Sequence, residues 1–116
     1  MTPGQVNFLC PQGSTFRRTL TYKIDDVPVD LTGYSSRLQV RQNYYSSQTI
    51  LDLNSVSSSA ITLGGSAGTI SILVDSEDTA DFPAGTWVYD LEIESSGGTV
   101  DRLIEGSFIV SPEVTR

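Results

Sequence analysis

What most limits the folds open to this chain is its punctuation. Apolar and polar residues alternate with a period of two over short runs, and clusters of Gly, Pro, Asn, Asp and Ser end each run before a helical stripe can develop. In "TWVYDLEIE" (86–94), Trp87, Tyr89, Leu91 and Ile93 take one side, and Asp90, Glu92 and Glu94 the other. Only Val88 breaks the alternation. Successive side chains on a strand point to opposite faces, so such a run buries one face and wets the other.

The same pattern recurs along the chain. "QVNFLC" (5–10) is closed by Pro11 and Gly13, and "TFRRTLTYKI" (15–24) puts Phe16, Leu20, Tyr22 and Ile24 on one face. Arg18 sits among them as the odd member, its stem packing while its head extends past the sheet. "DDVPVDLTG" (25–33) reads as turn, short extended piece and turn, with Pro28 confining any strand there to an edge. "YSSRLQVRQ" (34–42) places Tyr34, Leu38 and Val40 opposite Arg37, Gln39 and Arg41, as a central strand with one wet face would. A polar loop (43–49), "ILDLN" (50–54), a Ser-rich stretch, "ITLGG" (61–65) and "GTISILVD" (68–75) follow, the last two joined by glycines suited to positive φ.

Ile70, Ile72 and Val74 share an inner face, and Leu73 faces out. "SEDTADFPAG" (76–85) allows one helical turn near 76–81, with Ser76 as N-cap and Pro83 as stop. After 86–94, "SSGG" turns the chain into "TVDRLIEGSFIV" (99–110), where Gly106 suggests a bulge or close packing by an aromatic. The sum is an all-β, immunoglobulin-like antiparallel β-sandwich of about seven to nine short strands. It forms one domain over 1–116, with extended tails expected at 1–5 and 111–116. In such a sandwich 86–94 is the sixth strand, with Trp87 in the core and Tyr89 hydrogen-bonding back to the preceding corner.

Composition narrows the function. Seven basic and fourteen acidic residues give a formal charge of −7, which repels phosphate backbones and argues against nucleic acid as a partner. Arg17, Arg18, Lys23, Arg37 and Arg41 fall early and most acids fall late, so opposite-signed ends could favour head-to-tail association. No apolar run reaches the ~18–20 residues of a membrane helix, and the start lacks the regions of a secretion signal, so a soluble protein made in the cytoplasm is expected. Cys10 is the single cysteine and, with no histidine to activate it, reads as a small buried filler.

Catalysis finds no support. Without histidine, a general base near neutral pH needs a carboxylate or lysine with a strongly shifted pKa, and the chain has no nucleophile elbow, phosphate loop or Cys/His metal motif. "GGSAG" (64–68) is explained by a hairpin. Asp75, Glu77, Asp78 and Asp81 offer oxygen ligands to calcium, but the EF-hand spacing is missing and the helix dipole alone favours acids there. Tyr44 and Tyr45 could stack on a sugar, yet a strand running through them would expose only one. No cofactor is expected. Docking has the broadest base, through sandwich edges, tails and outward Val88 and Leu73.

Four segments, "QGSTFRRTLTYK", "VPVDLTGYSSRLQVRQ", "ITLGGSAGTISILVDSEDTADFPAGTWVYDLEIES" and "RLIEGSFIVSPEVT", occur in this order over nearly the whole chain. Together they resemble small virion proteins of tailed bacteriophages, and are similar to the immunoglobulin-like N-terminal domain of baseplate upper proteins and related tail-fibre attachment domains. The resemblance implies a non-enzymatic virion part that joins fibres or neighbouring components to a tail or baseplate as a repeated homo-oligomer. The chain ends at Arg116 without a coiled-coil or receptor-binding extension, which favours a stand-alone adaptor. A capsid decoration protein and a carbohydrate-binding module that loses glycans on Tyr45→Ala are the alternatives. Interface residues expected from exposure are Phe8, Arg37, Arg41, Tyr44, Tyr45, Val88 and Val114.

Overall fold

The computed structural model describes residues 3–56 and 60–115. Within them the strands are β1 (Gly4–Gln5), β2 (Phe8–Pro11), β3 (Phe16–Thr21), β4 (Lys23–Ile24), β5 (Val27–Pro28), β6 (Ser35–Arg41), β7 (Leu51–Asn54), β8 (Ile61–Leu63), β9 (Thr69–Val74), β10 (Gly85–Glu94) and β11 (Val100–Ser111). A 3-10 turn at Gly65–Ala67 and the short helix α1 (Ser76–Thr79) complete the list. Residues 1, 2, 57–59 and 116, which include the outer parts of both expected tails, lie outside the described residues.

The larger sheet runs β1/β2–β11–β10–β6–β7 and the smaller β3–β9–β8, with β4 and β5 forming a separate hairpin. The first segments flank the last strand, and an extra strand, β7, lies beyond β6. This is the arrangement of an immunoglobulin-like sandwich with one strand added beside β6. Alternation decides what is buried. Leu38 and Val40 of β6, Leu91 and Ile93 of β10, and Phe108 and Val110 of β11 face Phe16, Ile70, Ile72 and Val74 of the smaller sheet, all with 4% exposure or less.

The sheet is not wholly antiparallel. β1 and β2 pair parallel with β11, Gly4 opposite Ile104 and Phe8 opposite Phe108. Parallel neighbours need a long connection, and here the rest of the sandwich lies between them in sequence. The run 15–24 is also not one strand. It breaks at Tyr22, whose amide donates to the Gly68 carbonyl at 2.8 Å, and Ile24 moves into the hairpin with 56% exposure. Asp25 and Asp26 make the turn with φ of 52° and 65°, a left-handed pair in which Asp replaces the more usual Asn or Gly. At α1 the N-cap is Asp75 rather than Ser76, without a side-chain capping bond.

Two further expectations give way at the edge between β1 and β2. Tyr89 does not reach back to the preceding corner; its Oη donates to the Val6 carbonyl at 2.7 Å. Trp87 takes the corner instead, its Nε1 donating to the Pro83 carbonyl at 2.9 Å, and it is half-buried rather than in the core. Gly106 pairs in register with Tyr89, and the bulge lies at Leu91/Glu92. What Gly106 admits is backbone: a Cβ there would overlap the Val6 carbonyl oxygen and come within 2.8 Å of Asn7 Oδ1.

Arg18 closes the flank between the sheets. Its Nη2 donates to the Leu9 carbonyl of β2 at 2.9 Å, and its guanidinium lies 4.5 Å from the Phe16 ring centroid. An inward charge on an edge strand discourages pairing with another chain.

Candidate functional site

The outer face of the larger sheet collects most of the outward residues anticipated from the sequence. β6 contributes Arg37, Gln39 and Arg41; β10 contributes Val88, Asp90 and Glu92. Register sets Val88 beside Arg41, Asp90 beside Gln39, and Glu92 beside Arg37. On β11 the bulge lets both Leu103 and Ile104 pack against the core while Arg102 stays outside, beside Glu92.

Two hydrogen-bonded rows result. In one, Gln39 Nε2 donates to Asp52 Oδ2 at 3.1 Å, and Arg41 donates to Gln39 Oε1 at 2.9 Å and to the Ser46 carbonyl at 2.8 Å. In the other, Arg102 pairs with Asp90 at 3.3 Å and Glu105 at 3.2 Å, and Gln5 Nε2 donates to Glu105 Oε2 at 3.0 Å. The hydrogen bonds from Gln5 and then Arg102 hold the Glu105 carboxyl below its ordinary pKa. The bond to Glu105, followed by the nearby Asp90 charge, raises Arg102. Between the rows lies an open cleft of about 200 Å³, lined by Val88, Tyr44, Asn43 and the charged heads.

The anticipated residues divide. Arg37, Arg41, Tyr44 and Val88 share this face or its rim, although Arg41 is tied into its row and Val88 is half-buried. Phe8 does not belong at any surface. It is 4% exposed, stacked on Tyr89 at 4.9 Å and edge-on to Phe16 at 5.7 Å. β6 ends at Arg41, so alternation never reaches the tyrosine pair. Tyr44 is 73% and Tyr45 96% exposed. Val114 is exposed but sits past β11, away from the cleft.

Asp75, Glu77, Asp78 and Asp81 do not converge: among the described residues no group of three or more His, Cys, Asp or Glu comes together to hold a metal ion. Asp75, Asp78 and Asp81 instead rim an apolar groove floored by Leu51, Leu53, Leu73 and Phe82. Cys10 is fully buried, and burial pushes its thiol pKa up.

The large apolar side chains left exposed cluster by position in the fold. Ile24, Val27, Val56 and Val100 lie where β4–β5, the end of β7 and the start of β11 meet one end of the sandwich. Tyr44, Tyr45 and Val114 lie beyond strands at the other, while Leu9 sits within β2 and Leu73 within β9, where it floors the groove. Sequence reasoning missed Leu9, Ile24, Val27, Val56 and Val100. The odd place of Leu9 between Phe8 and Cys10 was the readable signal.

No family model matches this chain, and no curated protein matches it. Among solved structures, the chain is similar to the extracellular domain of the voltage-gated sodium channel β4 subunit, described as a parallel homodimer with a role in cell–cell adhesion. The identity is 15% and the TM-score 0.48, over 98% of this chain and 97% of that one.

Proposed function

We propose that this chain is a non-enzymatic structural subunit of a bacteriophage tail or baseplate, a repeated connector that joins copies of itself and neighbouring tail components. One observation carries the reading. The body measures 42 × 27 × 27 Å, and the twelve residues of β11 span ~40 Å at about 3.3 Å each, so the strands run along the long axis. Most of the exposed large apolar residues lie toward the two ends of that axis, while the outer face of the larger sheet is charged. Such a body buries apolar surface best when units meet end to end, and symmetry multiplies a modest contact into a durable assembly. The ordered resemblance to tail and baseplate modules supports the same reading.

Cryo-electron microscopy of the particle whose genome encodes the chain tests it. The expected result is density for this sandwich in the tail or baseplate, with its ends in contact with neighbours. Density on the head shell would favour a decoration protein, and absence from purified particles would overturn a virion role altogether.

A further inference from the structure

The cleft on the outer face of the larger sheet has walls that are fixed before any ligand arrives. Arg41 is held by Gln39 and the Ser46 carbonyl on one side; Arg102 is held by Asp90 and Glu105 on the other. Polar heads already ordered by their neighbours lose little freedom on binding, which lowers the cost of recognition.

Charge then selects the ligand class. The two guanidinium groups and the two carboxylates cancel formally. A phosphate entering the cleft meets Asp90 and Glu105; a cation meets Arg41 and Arg102. A hydroxyl group suits both walls, because it accepts from a guanidinium and donates to a carboxylate with the same oxygen. Beside the polar walls, Val88 gives an apolar floor and the exposed Tyr44 ring an apolar flank of the kind that the C–H face of a sugar ring covers. The volume of about 200 Å³ is below the roughly 300–1,000 Å³ of sites for drug-sized ligands. It suits a single ring.

The geometry points to a glycan-binding cleft in which one neutral pyranose residue lies between the Arg41 and Arg102 rows with its ring against Tyr44. The adjacent Tyr45 is more exposed but does not line the cleft, so the two tyrosines, next to each other in sequence, have different roles. The polar walls of the cleft lie on the outer face of the larger sheet, and the cleft shares only Tyr44 with the ends proposed for assembly.

The test is an NMR titration of the isotope-labelled full chain with methyl pyranosides of glucose, galactose, mannose and N-acetylglucosamine, up to tens of millimolar. An array of larger neutral oligosaccharides runs in parallel. The expected result is saturable shifts at Val88, Asp90, Arg102 and Glu105 with at least one sugar. Tyr44→Ala should weaken that binding about tenfold, the scale of one lost aromatic contact, while Tyr45→Ala leaves it within about twofold. Both tyrosines are exposed, so neither change threatens the fold. Absence of any shift or array signal overturns the proposal, as does binding that maps elsewhere or that Tyr44→Ala leaves intact.

Discussion

Tyr89 and Gly106 should behave as a single device, and the coupling between them can be worked out in advance. The Tyr89 hydroxyl donates to the Val6 carbonyl at 2.7 Å, and a neutral hydrogen bond of this kind contributes about 1 kcal/mol, rising toward ~2 if its loss leaves the acceptor without a partner. Tyr89→Phe should therefore cost about 1–2 kcal/mol. At Gly106 an added Cβ would overlap that same carbonyl oxygen. The obstacle is backbone, so β1 and β2 must move to make room. Overpacking of this kind costs about 1–3 kcal/mol, and losing the Tyr89 bond adds about 1 more, so Gly106→Ala should cost ~2–4 kcal/mol.

Once the carbonyl has been pushed away, the hydroxyl has nothing left to lose. In the Gly106→Ala background, Tyr89→Phe should then cost only a few tenths of a kcal/mol, giving a coupling of about 1 kcal/mol across the double-mutant cycle. Urea unfolding followed by Trp87 fluorescence and by circular dichroism measures all four corners. For a chain of this size 1 kcal/mol corresponds to about 4 °C in melting temperature, a shift that is easily resolved. Strict additivity, or a neutral Gly106→Ala, would refute the idea that one carbonyl serves both residues.

Three other outcomes are expected. Arg18→Ala removes the bond to the Leu9 carbonyl and the contact with the Phe16 ring; it should cost about 1–2 kcal/mol in urea unfolding and raise concentration-dependent aggregation, because β3 loses its inward charge. Burial raises the Tyr89 pKa above its ordinary value of 10.0, so above that pH the folded state holds a proton that the unfolded state has released. Its contribution is complete below the unfolded pKa and is lost as pH climbs through the folded one, so stability should fall more steeply above pH ~10 in the parent than in Tyr89→Phe. Gly68→Ala puts a Cβ 2.9 Å from both the Tyr22 and Val29 carbonyl oxygens at φ +69°; it should destabilise by about 1–3 kcal/mol in the same assay, with the largest amide shifts in the β4–β5 hairpin.

The core was legible because alternation is a local signal. Leu38 and Val40, or Leu91 and Ile93, declare their inward face within a few residues, and the structure buries them all at 1% exposure or less. What the sequence concealed depends on partners far along the chain. Nothing near Phe8 says that it stacks on Tyr89 rather than facing solvent. Nothing near Gly106 says that the space it leaves is filled by Val6, a hundred residues earlier. The parallel pairing of β2 with β11 is likewise invisible to any pattern that reads neighbours in sequence.

The surface was legible only where a strand continued. Arg37 and Arg41 follow β6 to the outer face as alternation requires, but Tyr44 and Tyr45 lie beyond its end, where alternation says nothing. The cleft depends on two rows of side chains supplied by β1, β6, β7, β10 and β11 and on a bulge that turns Arg102 outward. No local motif could encode it.

The same distribution of side chains decides how the molecule can associate. Pairing through the β3 edge would have to displace Arg18 from the Leu9 carbonyl and from the Phe16 ring, and packing through the outer face of the larger sheet would have to desolvate Arg37, Asp90, Glu92, Arg102 and Glu105. Desolvating charges costs several kcal/mol per ion unless each finds a partner of good geometry. At the hairpin end Ile24 and Val27 face each other with 56% and 63% of their surface already open, and Lys23, Asp25 and Asp26 are the exposed charges beside them. Contact through this end therefore buries open apolar surface with fewer charges to desolvate than the outer face. Val27→Lys, which leaves the edge and the faces untouched, should weaken self-association measured by sedimentation without altering the unfolding midpoint by more than a few tenths of a kcal/mol; self-association that survives this change but disappears in Arg18→Ala would place the contact at the edge instead.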